Sequence, residues 1–275
     1  MDFSLASRLP MNDGHAIPVL GLGVFQAAPG RETESAVGVA LREGYRLVDT
    51  ARMYGNERDV GLAVQGSGVP REDVFVTTKL WNTDHGYDRA LRAFEESRRA
   101  LGLEYVDLYL IHWPVPRLRG DSWRALGRLR DAGLARSVGV SNYTVAHLEE
   151  LLRSSSVVPA VNQVEFSPFL YQADLLRFCQ KNGIVLEAYS PLTKGHRLRD
   201  PVLGDVAAKY ARTPAQIALR WALQHGVVVI PKSVRPERIR ENGRVFDFDL
   251  SPKDMSLLDG LSEGLHTSWN PDGAP

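Results

Sequence analysis

Short apolar runs alternate with longer amphipathic stretches along most of the chain. The runs are rich in Val, Ile, Leu and Tyr and are continuous, which is typical of parallel strands buried on both faces. Eight such runs are present, at residues 19–24, 45–48, 74–77, 106–111, 135–140, 160–164, 184–188 and 227–230. The stretches between them have the apolar spacing of helices, so the pattern predicts repeated βα units.

Helix signals fall in the segments between these runs. Thr213, Pro214 and Gln216 have the residue types of an N-cap, a first helical position and a capping-box partner, which predicts a helix to about residue 225. Further helices are predicted over residues 32–42, 57–65, 87–101, 122–132, 144–152 and 251–258, the last of them additional to the repeat. The turn sequence at residues 12–15 predicts an N-terminal β-hairpin, and residues 270–275 are expected to form a loop or frayed tail.

The number of βα units decides the predicted fold. Eight units in 275 residues predict an α/β protein with a single closed (β/α)₈ TIM barrel, one domain over residues 1–275. The main alternative is an open doubly wound sheet, which binds a dinucleotide through a glycine-rich first turn. Gly21 and Gly23 are present near such a turn, but the third glycine of that fingerprint is missing. The barrel is therefore the preferred interpretation.

Composition and charge narrow the function classes. The 33 basic and 33 acidic side chains leave no net charge, so we expect no overall attraction to nucleic acid or to an anionic membrane. Residues 1–8 lack an apolar leader and no apolar stretch is long enough to span a bilayer, so we expect a cytoplasmic protein. Cys179 lies in a helical apolar pattern at residues 175–179 and is expected to pack rather than react.

Polar residues capable of chemistry follow the apolar runs at their C-terminal ends. Asp49, Lys79 and His112 follow three successive runs. The later runs continue the pattern with the pairs Ser141 and Asn142, Asn162 and Gln163, Tyr189 and Ser190, and Lys232 and Ser233. In a barrel these ends form one rim, so the residues would converge on one bowl. Each alone has an ordinary structural explanation, such as a helix cap, a surface lysine or a core histidine, but their joint placement favours a shared site.

Tyr54, Lys79, Asp49 and His112 together suggest a proton-donating site. A tyrosine phenol has a pKa of about 10, and a nearby ammonium such as that of Lys79 would lower this pKa. Asp49 would neutralise the buried Lys79, and His112 would orient a substrate carbonyl by hydrogen bonding. Such a set suits proton donation to an oxygen that gains negative charge when hydride reaches a carbonyl carbon. Phosphoryl transfer and zinc hydrolysis are disfavoured because the sequence has no P-loop and no His-Glu-x-x-His motif, and no metal site is expected.

Three longer patterns resemble the signatures of the aldo-keto reductase family, in the expected order and across almost the whole chain. The patterns lie at residues 44–51 with 54–57 and 60–61, at residues 136–143, and at residues 230–233 with Arg238, Glu241 and Asn242. The resemblance implies that Asp49, Tyr54, Lys79 and His112 form the catalytic tetrad of a carbonyl reductase. In that tetrad Tyr54 would give its proton as NADPH delivers hydride.

The resemblance also implies a binding site for NADPH. Ser141, Asn142 and Gln163 match the positions that hold the nicotinamide carboxamide, and Tyr189 matches the ring on which the nicotinamide stacks. The remaining matches are Gly23 and Val24, then Ser190, Pro191 and Leu192 along the pyrophosphate, then Lys232, Ser233, Val234, Arg235 and Arg238 around the 2′-phosphate, and Glu241 and Asn242 near the adenine. Glu241 and Arg235 could equally be solvated helix residues.

The cofactor preference has a physical basis of its own. Two or three cations and a hydroxyl between Lys232 and Arg238 suit a dianionic phosphate monoester. We therefore expect NADPH to bind better than NADH.

The substrate pocket is indicated by aromatic residues. Phe25, Met53, Trp81 and Trp113 match or adjoin the family's pocket wall, and Trp269 is expected to reach in from the C-terminal segment. Such a pocket favours a flat or apolar carbonyl compound. Residues 81–86 and the short C-terminus look most like the bacterial branch that includes 2,5-diketo-gluconate reductases, a branch in which a monomer is expected.

Two alternatives remain open at the level of the sequence. One is a non-catalytic NADPH-binding barrel, like the subunits that regulate ion channels in the same superfamily, although the complete tetrad argues against it. The other is a Schiff-base aldolase that uses Lys79.

Overall fold

The N-terminal strands form a hairpin that closes one end of the molecule. The structure is a computed structural model that describes residues 3–271. Strands β1 (Arg8–Pro10) and β2 (Ala16–Pro18) pair antiparallel, as the turn sequence predicted. Met11 and Ile17 are buried in one apolar cluster with Leu47 and Phe75, so the hairpin covers the N-terminal end of the sheet interior.

The other strands form one parallel sheet that closes into a barrel. They are β3 (Leu22–Gly23), β4 (Leu47–Asp49), β5 (Phe75–Leu80), β6 (Val106–Ile111), β7 (Ala135–Ser141), β8 (Val161–Glu165), β9 (Val185–Tyr189) and β10 (Val228–Val229). Neighbours in the sheet follow chain order from β3 to β10. Parallel bridges from Leu20 to Val229 and from Gly23 to Lys232 join the first strand to the last. The predicted eight-stranded α/β barrel is confirmed.

Helices surround the sheet. Their bounds are α1 (Arg31–Arg42), α2 (Glu57–Gly66), α3 (Tyr87–Leu101), α4 (Arg119–Asp131), α5 (Val145–Ser154), α6 (Ala173–Lys181), α7 (Pro201–Lys209), α8 (Pro214–Gln224), α9 (Pro236–Gly243) and α10 (Pro252–Asp259). The capping box of Thr213 and Gln216 is present at the start of α8. Among the helices of residues 3–271, none combines the length and low polarity needed to cross a membrane.

The sequence pattern missed two helices, α7 and α9. In α9 only Ile239 and Asn242 are buried, so the helix has no apolar stripe that periodicity could reveal. Cys179 lies buried on α6, and burial raises the pKa of its thiol to about 12, which fits the expected packing role.

Five strands extend beyond the apolar runs of the sequence onto the polar residues at their C-terminal ends. These added residues are Asp49, Lys79, Ser141, Glu165 and Tyr189. Asp49, for example, pairs with Gly23 on one side and with Thr77 on the other. The strand ladder therefore fixes the backbone of the residues that carry the candidate chemistry.

Glycine permits close strand approach at the seam of the barrel. A Cβ atom on Gly23 would lie 2.8 Å from the carbonyl oxygen of Ile230. Any larger residue there would force β3 and β10 apart, because real Cβ atoms do not tolerate that distance to a backbone oxygen. The seam lies at the rim where the functional residues gather.

Candidate active site

The C-terminal ends of the strands open into a cavity of about 1100 Å³. Asp49, Tyr54 and His112 line this cavity, as expected for a barrel whose site is built at that rim. The predicted cofactor and substrate residues that also line it are Gly23, Phe25, Met53, Trp81, Trp113, Ser141, Asn142, Gln163, Tyr189, Ser190, Pro191, Leu192, Lys232, Ser233, Val234, Arg235, Arg238, Glu241, Asn242 and Trp269.

Two predicted site residues do not line the cavity. The side chain of Val24 lies in the core, while the Val24 backbone bonds to the Asp49 carbonyl and to the Asn56 amide. Lys79 is fully buried. Its ammonium contacts Asp49 and Tyr54, and these two residues line the cavity.

The Lys79 ammonium links a carboxylate to a phenol. Its Nζ atom lies 2.6 and 2.7 Å from the two oxygens of Asp49, 3.0 Å from the Thr50 carbonyl oxygen and 3.4 Å from the Tyr54 hydroxyl. Tyr54 reaches this position from a short 3₁₀ turn, Arg52–Tyr54, that directly follows β4. The structure therefore brings together Asp49 and Tyr54, which belong to one βα unit, and Lys79, which belongs to the next.

Burial dominates the acidity of the Tyr54 phenol. Burial raises the pKa of Tyr54 above its ordinary value, whereas the Lys79 charge lowers it and the Asp49 charge raises it. Lys79 lowers the pKa of Tyr54, as predicted, but burial outweighs it and the net shift of this pKa is upward. The phenol is therefore protonated at neutral pH, which is the form a proton donor needs.

The Asp49–Lys79 pair keeps a buried cation tolerable. Burial lowers the pKa of Lys79, but the negative charge and hydrogen bonds of Asp49 outweigh this and raise it. Burial likewise raises the pKa of Asp49, while Lys79 and a hydrogen bond from Gln163 oppose the rise. With both oxygens of Asp49 on the ammonium, the lysine stays charged and the pair is neutral as a whole.

His112 is a neutral imidazole beside the phenol. Burial and the Lys79 charge hold the pKa of His112 well below its usual range. Its ring centroid lies 5.8 Å from that of Tyr54 and 5.2 Å from that of Trp81, both edge-on. A neutral imidazole in this position can hydrogen-bond a carbonyl oxygen but cannot supply a proton at neutral pH as readily as an imidazolium would.

A chain of hydrogen bonds ties the adjoining polar residues together. The Tyr189 hydroxyl donates to Asn142 Oδ1 at 2.8 Å, and Asn142 Nδ2 donates to the His112 carbonyl oxygen at 2.9 Å. Asn142 has a φ of 63°, a left-handed conformation that asparagine tolerates better than most residues. The Ser141 hydroxyl donates to the Gln163 carbonyl oxygen at 2.8 Å. These residues form a fixed polar wall.

Cations gather at the far end of the cavity. Lys232, Arg235 and Arg238 are exposed there, and among residues 3–271 none of these three takes part in an ion pair. Ser233 accepts a hydrogen bond from the Arg235 backbone amide at 3.1 Å. Cations that lack a protein carboxylate can hold a phosphate monoester, so the residues present fit the cofactor that the sequence predicted.

Aromatic rings surround the Tyr54 end of the cavity. The Phe25 ring lies 5.0 Å from the Tyr54 ring, and the Trp113 and Trp269 rings lie 4.6 Å apart. Trp269 is 60% exposed even though it packs on Trp113, so its position depends on the C-terminal segment that carries it. This end of the cavity is the apolar pocket that the sequence predicted for substrate.

Sequence reasoning missed two buried glutamates near the site. Glu187 lies inside the barrel on β9, and Glu165 ends β8 beneath the C-terminal segment. A signal for Glu187 was available, because strand alternation places it on the same face as Tyr189, two residues later. A carboxylate inside an otherwise apolar strand is costly to bury and marks a site for attention.

Comparison with known proteins gives the family. The model of the Aldo/keto reductase family matches residues 19–263. The chain belongs to the aldo/keto reductase family. The glyoxal reductase of Bacillus subtilis (strain 168) is 48% identical over 272 residues, which cover 99% of each protein. The morphine 6-dehydrogenase of Pseudomonas putida is 48% identical over 285 aligned residues, which cover 97% of this chain and 96% of that protein.

A solved structure supports the same family at the level of the fold. The crystal structure of an aldo/keto reductase from Brucella melitensis superposes with a TM-score of 0.90 at 48% identity. The match covers 93% of this aldo/keto reductase and 99% of the other chain. The placement in the 2,5-diketo-gluconate reductase branch stays a prediction.

Proposed function

We propose that this aldo/keto reductase is an NADPH-dependent enzyme that reduces aldehydes and ketones to alcohols, with Tyr54 as the proton donor. The carrying observation is the position of the Lys79 ammonium, 2.6 Å from Asp49 and 3.4 Å from the Tyr54 hydroxyl, at the floor of the cavity. The cavity runs from this phenol to the exposed cations at residues 232–238.

The chain's own residues would handle the proton and the developing charge. When bound, NADPH supplies the hydride to the carbonyl carbon. Tyr54 gives its hydroxyl proton to the carbonyl oxygen, and the Lys79 ammonium stabilises the phenolate that remains. Asp49 holds the ammonium in place, and neutral His112 hydrogen-bonds the carbonyl oxygen so that it faces Tyr54.

The cofactor would lie along the polar wall and end at the cations. The Tyr189 ring would stack on the nicotinamide, and Ser141, Asn142 and Gln163 would bind its carboxamide. Lys232 and Arg238 would bind the 2′-phosphate, with Ser233 and Arg235 beside them. This assignment is supported by the absence of a carboxylate partner for these cations among the described residues.

The substrate would be a small carbonyl compound that packs on the aromatic end. Phe25, Trp81, Trp113 and Trp269 supply apolar area next to the proton donor, and Met53 lies at the opening. The relatives named for glyoxal and for morphine suggest that both small dicarbonyls and ring ketones should be tried. The protein would act in the cytoplasm. We expect it to be a monomer, and analytical ultracentrifugation tests this oligomeric state.

Substitution of Tyr54 by Phe tests the mechanism. Tyr54→Phe deletes the donated proton but keeps the ring, so we expect turnover of a reducible aldehyde to fall by about two to four orders of magnitude. The dissociation constant for NADPH, measured by fluorescence titration, should change little. Undiminished turnover would mean that another group, such as His112, is the acid.

The alternatives give different results with the wild-type protein. A regulatory barrel would bind NADPH but oxidise none of it with any aldehyde of a broad panel. A Schiff-base aldolase would become covalently labelled on Lys79 when borohydride is added with a carbonyl substrate. We expect NADPH oxidation and no labelling of Lys79.

A further inference from the structure

Glu187 is a buried carboxyl that the mechanism above does not use. It lies on β9 inside the barrel and is fully buried. Its Oε2 atom accepts a hydrogen bond from Gln163 Nε2 at 2.8 Å. Its other oxygen, Oε1, is buried and has no hydrogen-bond partner among residues 3–271. A charged carboxylate with one oxygen unpartnered is unfavourable in such a position.

The Gln163 amide is shared between two carboxyl groups. Gln163 Nε2 donates to Asp49 Oδ2 at 2.8 Å as well as to Glu187 at the same distance. An amide nitrogen carries only two hydrogens, so both are used. A flipped amide would turn its own oxygen toward the charged Asp49 carboxylate, 2.8 Å away, which is repulsive. The side-chain oxygen of Gln163, Oε1, is therefore the atom left to face the cavity that this residue lines.

The surroundings of Glu187 hold one cation for two carboxyl groups. The charged and titratable groups near Glu187 are Asp49 on β4, Lys79 on β5 and Tyr54 in the turn after β4. These groups and Glu187 influence one another's pKa values. The residue in register on the neighbouring β10 is Val228, which carries no charge. Burial, followed by the Asp49 charge, raises the pKa of Glu187 to about 8. Glu187 is therefore neutral at neutral pH.

We propose that Glu187 is a positioning residue that acts as a neutral acid. It turns the side-chain oxygen of Gln163 toward the nicotinamide carboxamide, and it adds no second negative charge beside Asp49, Lys79 and Tyr54. This inference rests on the function proposed above. When Glu187 loses its proton, the added negative charge raises the pKa of Tyr54 further. The phenolate that accepts a proton during alcohol oxidation then forms less readily.

Two substitutions separate the orientation role from the charge role. Glu187→Met removes the hydrogen-bond acceptor, so we expect the dissociation constant for NADPH to rise about tenfold through loss of the fixed Gln163 amide. Glu187→Gln keeps an acceptor oxygen, so it should restore the NADPH affinity to within about threefold of the wild type. Glu187→Met places no unpartnered polar group in the core and Glu187→Gln has the shape of the neutral acid, so both are expected to fold.

The pH dependence of alcohol oxidation tests the proposed effect of the Glu187 charge on Tyr54. The rate of NADP⁺-dependent alcohol oxidation should rise with pH as Tyr54 ionises. In Glu187→Gln we expect this rise about one pH unit lower than in the wild type, because the second negative charge is absent. Infrared spectra of the protein without cofactor supply an independent readout. The carbonyl band of a buried protonated carboxyl should be present at neutral pH, disappear in alkali and be missing from Glu187→Gln.

The inference would be overturned if the Glu187 variants behaved like the wild type in these measurements. Glu57→Gln is the control, since Glu57 is another buried carboxyl, bonded to Thr78 at 2.5 Å, and its substitution should leave NADPH affinity unchanged. Wild-type NADPH affinity in Glu187→Met would refute the orientation role. Superimposable oxidation profiles for Glu187→Gln and the wild type would refute the charge role. A wild-type protein that binds NADPH without turnover would refute the proposed function, yet the binding and infrared results would still decide the role of Glu187.

Discussion

The Lys79 ammonium lowers the pKa of the Tyr54 phenol, but burial of the phenol raises it more. The ammonium lies 3.4 Å from the phenol oxygen and favours the phenolate, but burial favours the neutral phenol and outweighs it. The balance suits a group that must hold a proton before the reaction and release it during the reaction. Asp49 is essential to this balance because an unpaired ammonium in the same place would lose its own proton.

The cations at the far end of the cavity give a prediction about cofactor choice. Lys232→Gly combined with Arg238→His removes two charges that would bind the 2′-phosphate, each worth about 1.5–3 kcal/mol as a charge-assisted hydrogen bond. We expect NADPH affinity to fall by at least about a hundredfold, while NADH affinity changes by no more than about threefold. Fluorescence titration with each cofactor measures both.

A neighbouring arginine supplies the control for this experiment. Arg240 lies on the same helix, α9, but pairs with Glu43 at 2.7 Å and does not line the cavity. Arg240→Gln should leave both affinities unchanged. Equal losses of NADPH and NADH in the double variant would contradict a phosphate-binding role.

At the scale of elements, the C-terminal segment depends on one buried carboxylate at the end of β8. Glu165 accepts hydrogen bonds from the Thr267 amide at 2.8 Å and from the Ser268 amide at 3.2 Å. The Lys194 ammonium, from the loop after β9, donates to the Thr267 carbonyl oxygen at 2.5 Å. Trp269 follows directly and packs on Trp113. Glu165, together with Lys194, therefore holds the part of the segment that carries the exposed pocket wall.

Substitution of Glu165 should loosen this segment. In Glu165→Ala we expect faster exchange of the Thr267 and Ser268 amides and a KM for a bulky aromatic carbonyl raised by about tenfold, because charge-assisted hydrogen bonds are lost. A small dicarbonyl that does not reach Trp269 should keep its KM. Hydrogen-exchange mass spectrometry and steady-state kinetics measure the two effects.

An exposed glutamate in the same region makes the comparison specific. Glu263 pairs with Arg197 at 2.6 Å on the surface. Glu263→Gln should change neither exchange nor KM appreciably, because surface ion pairs contribute little. If Glu165→Ala exchanged no faster than this control, the anchoring role of Glu165 would be wrong.

At the scale of the whole molecule, Glu187 makes stability depend on pH. Its pKa is about 8 in the folded protein against an ordinary value of 4.5. Between these values the folded protein keeps a proton that the unfolded chain has released, so the free energy of unfolding falls as pH rises. Above the folded pKa this contribution is lost.

Urea denaturation of Glu187→Gln at a series of pH values tests this linkage. Relative to the wild type, the variant should gain stability as pH rises through this window, by up to about 1.4 kcal/mol per pH unit. Glu104→Gln, at an exposed position, should follow the wild type. Parallel curves for Glu187→Gln and the wild type would show that Glu187 is ionised in the folded protein.

Much of the fold was predictable because it is encoded locally. The eight apolar runs, the hairpin turn and the capping box of α8 depend on neighbouring residues, and chain order alone then specifies a parallel barrel. Strand ends were predicted less well, because ladder partners extend β4, β5 and β8 onto Asp49, Lys79 and Glu165, residue types that strand propensity disfavours. Helix α9 was missed because its neighbours bury only Ile239 and Asn242.

The sequence by itself determined which chemical groups stand at the barrel rim, since each follows its own strand. Only the tertiary structure decided how those groups act on one another. Gln163 lies 114 residues from Asp49 in the chain yet bonds to it at 2.8 Å, and on to Glu187. Desolvation and Coulomb energies depend on burial and on distances of a few ångströms, which no local pattern of residues contains.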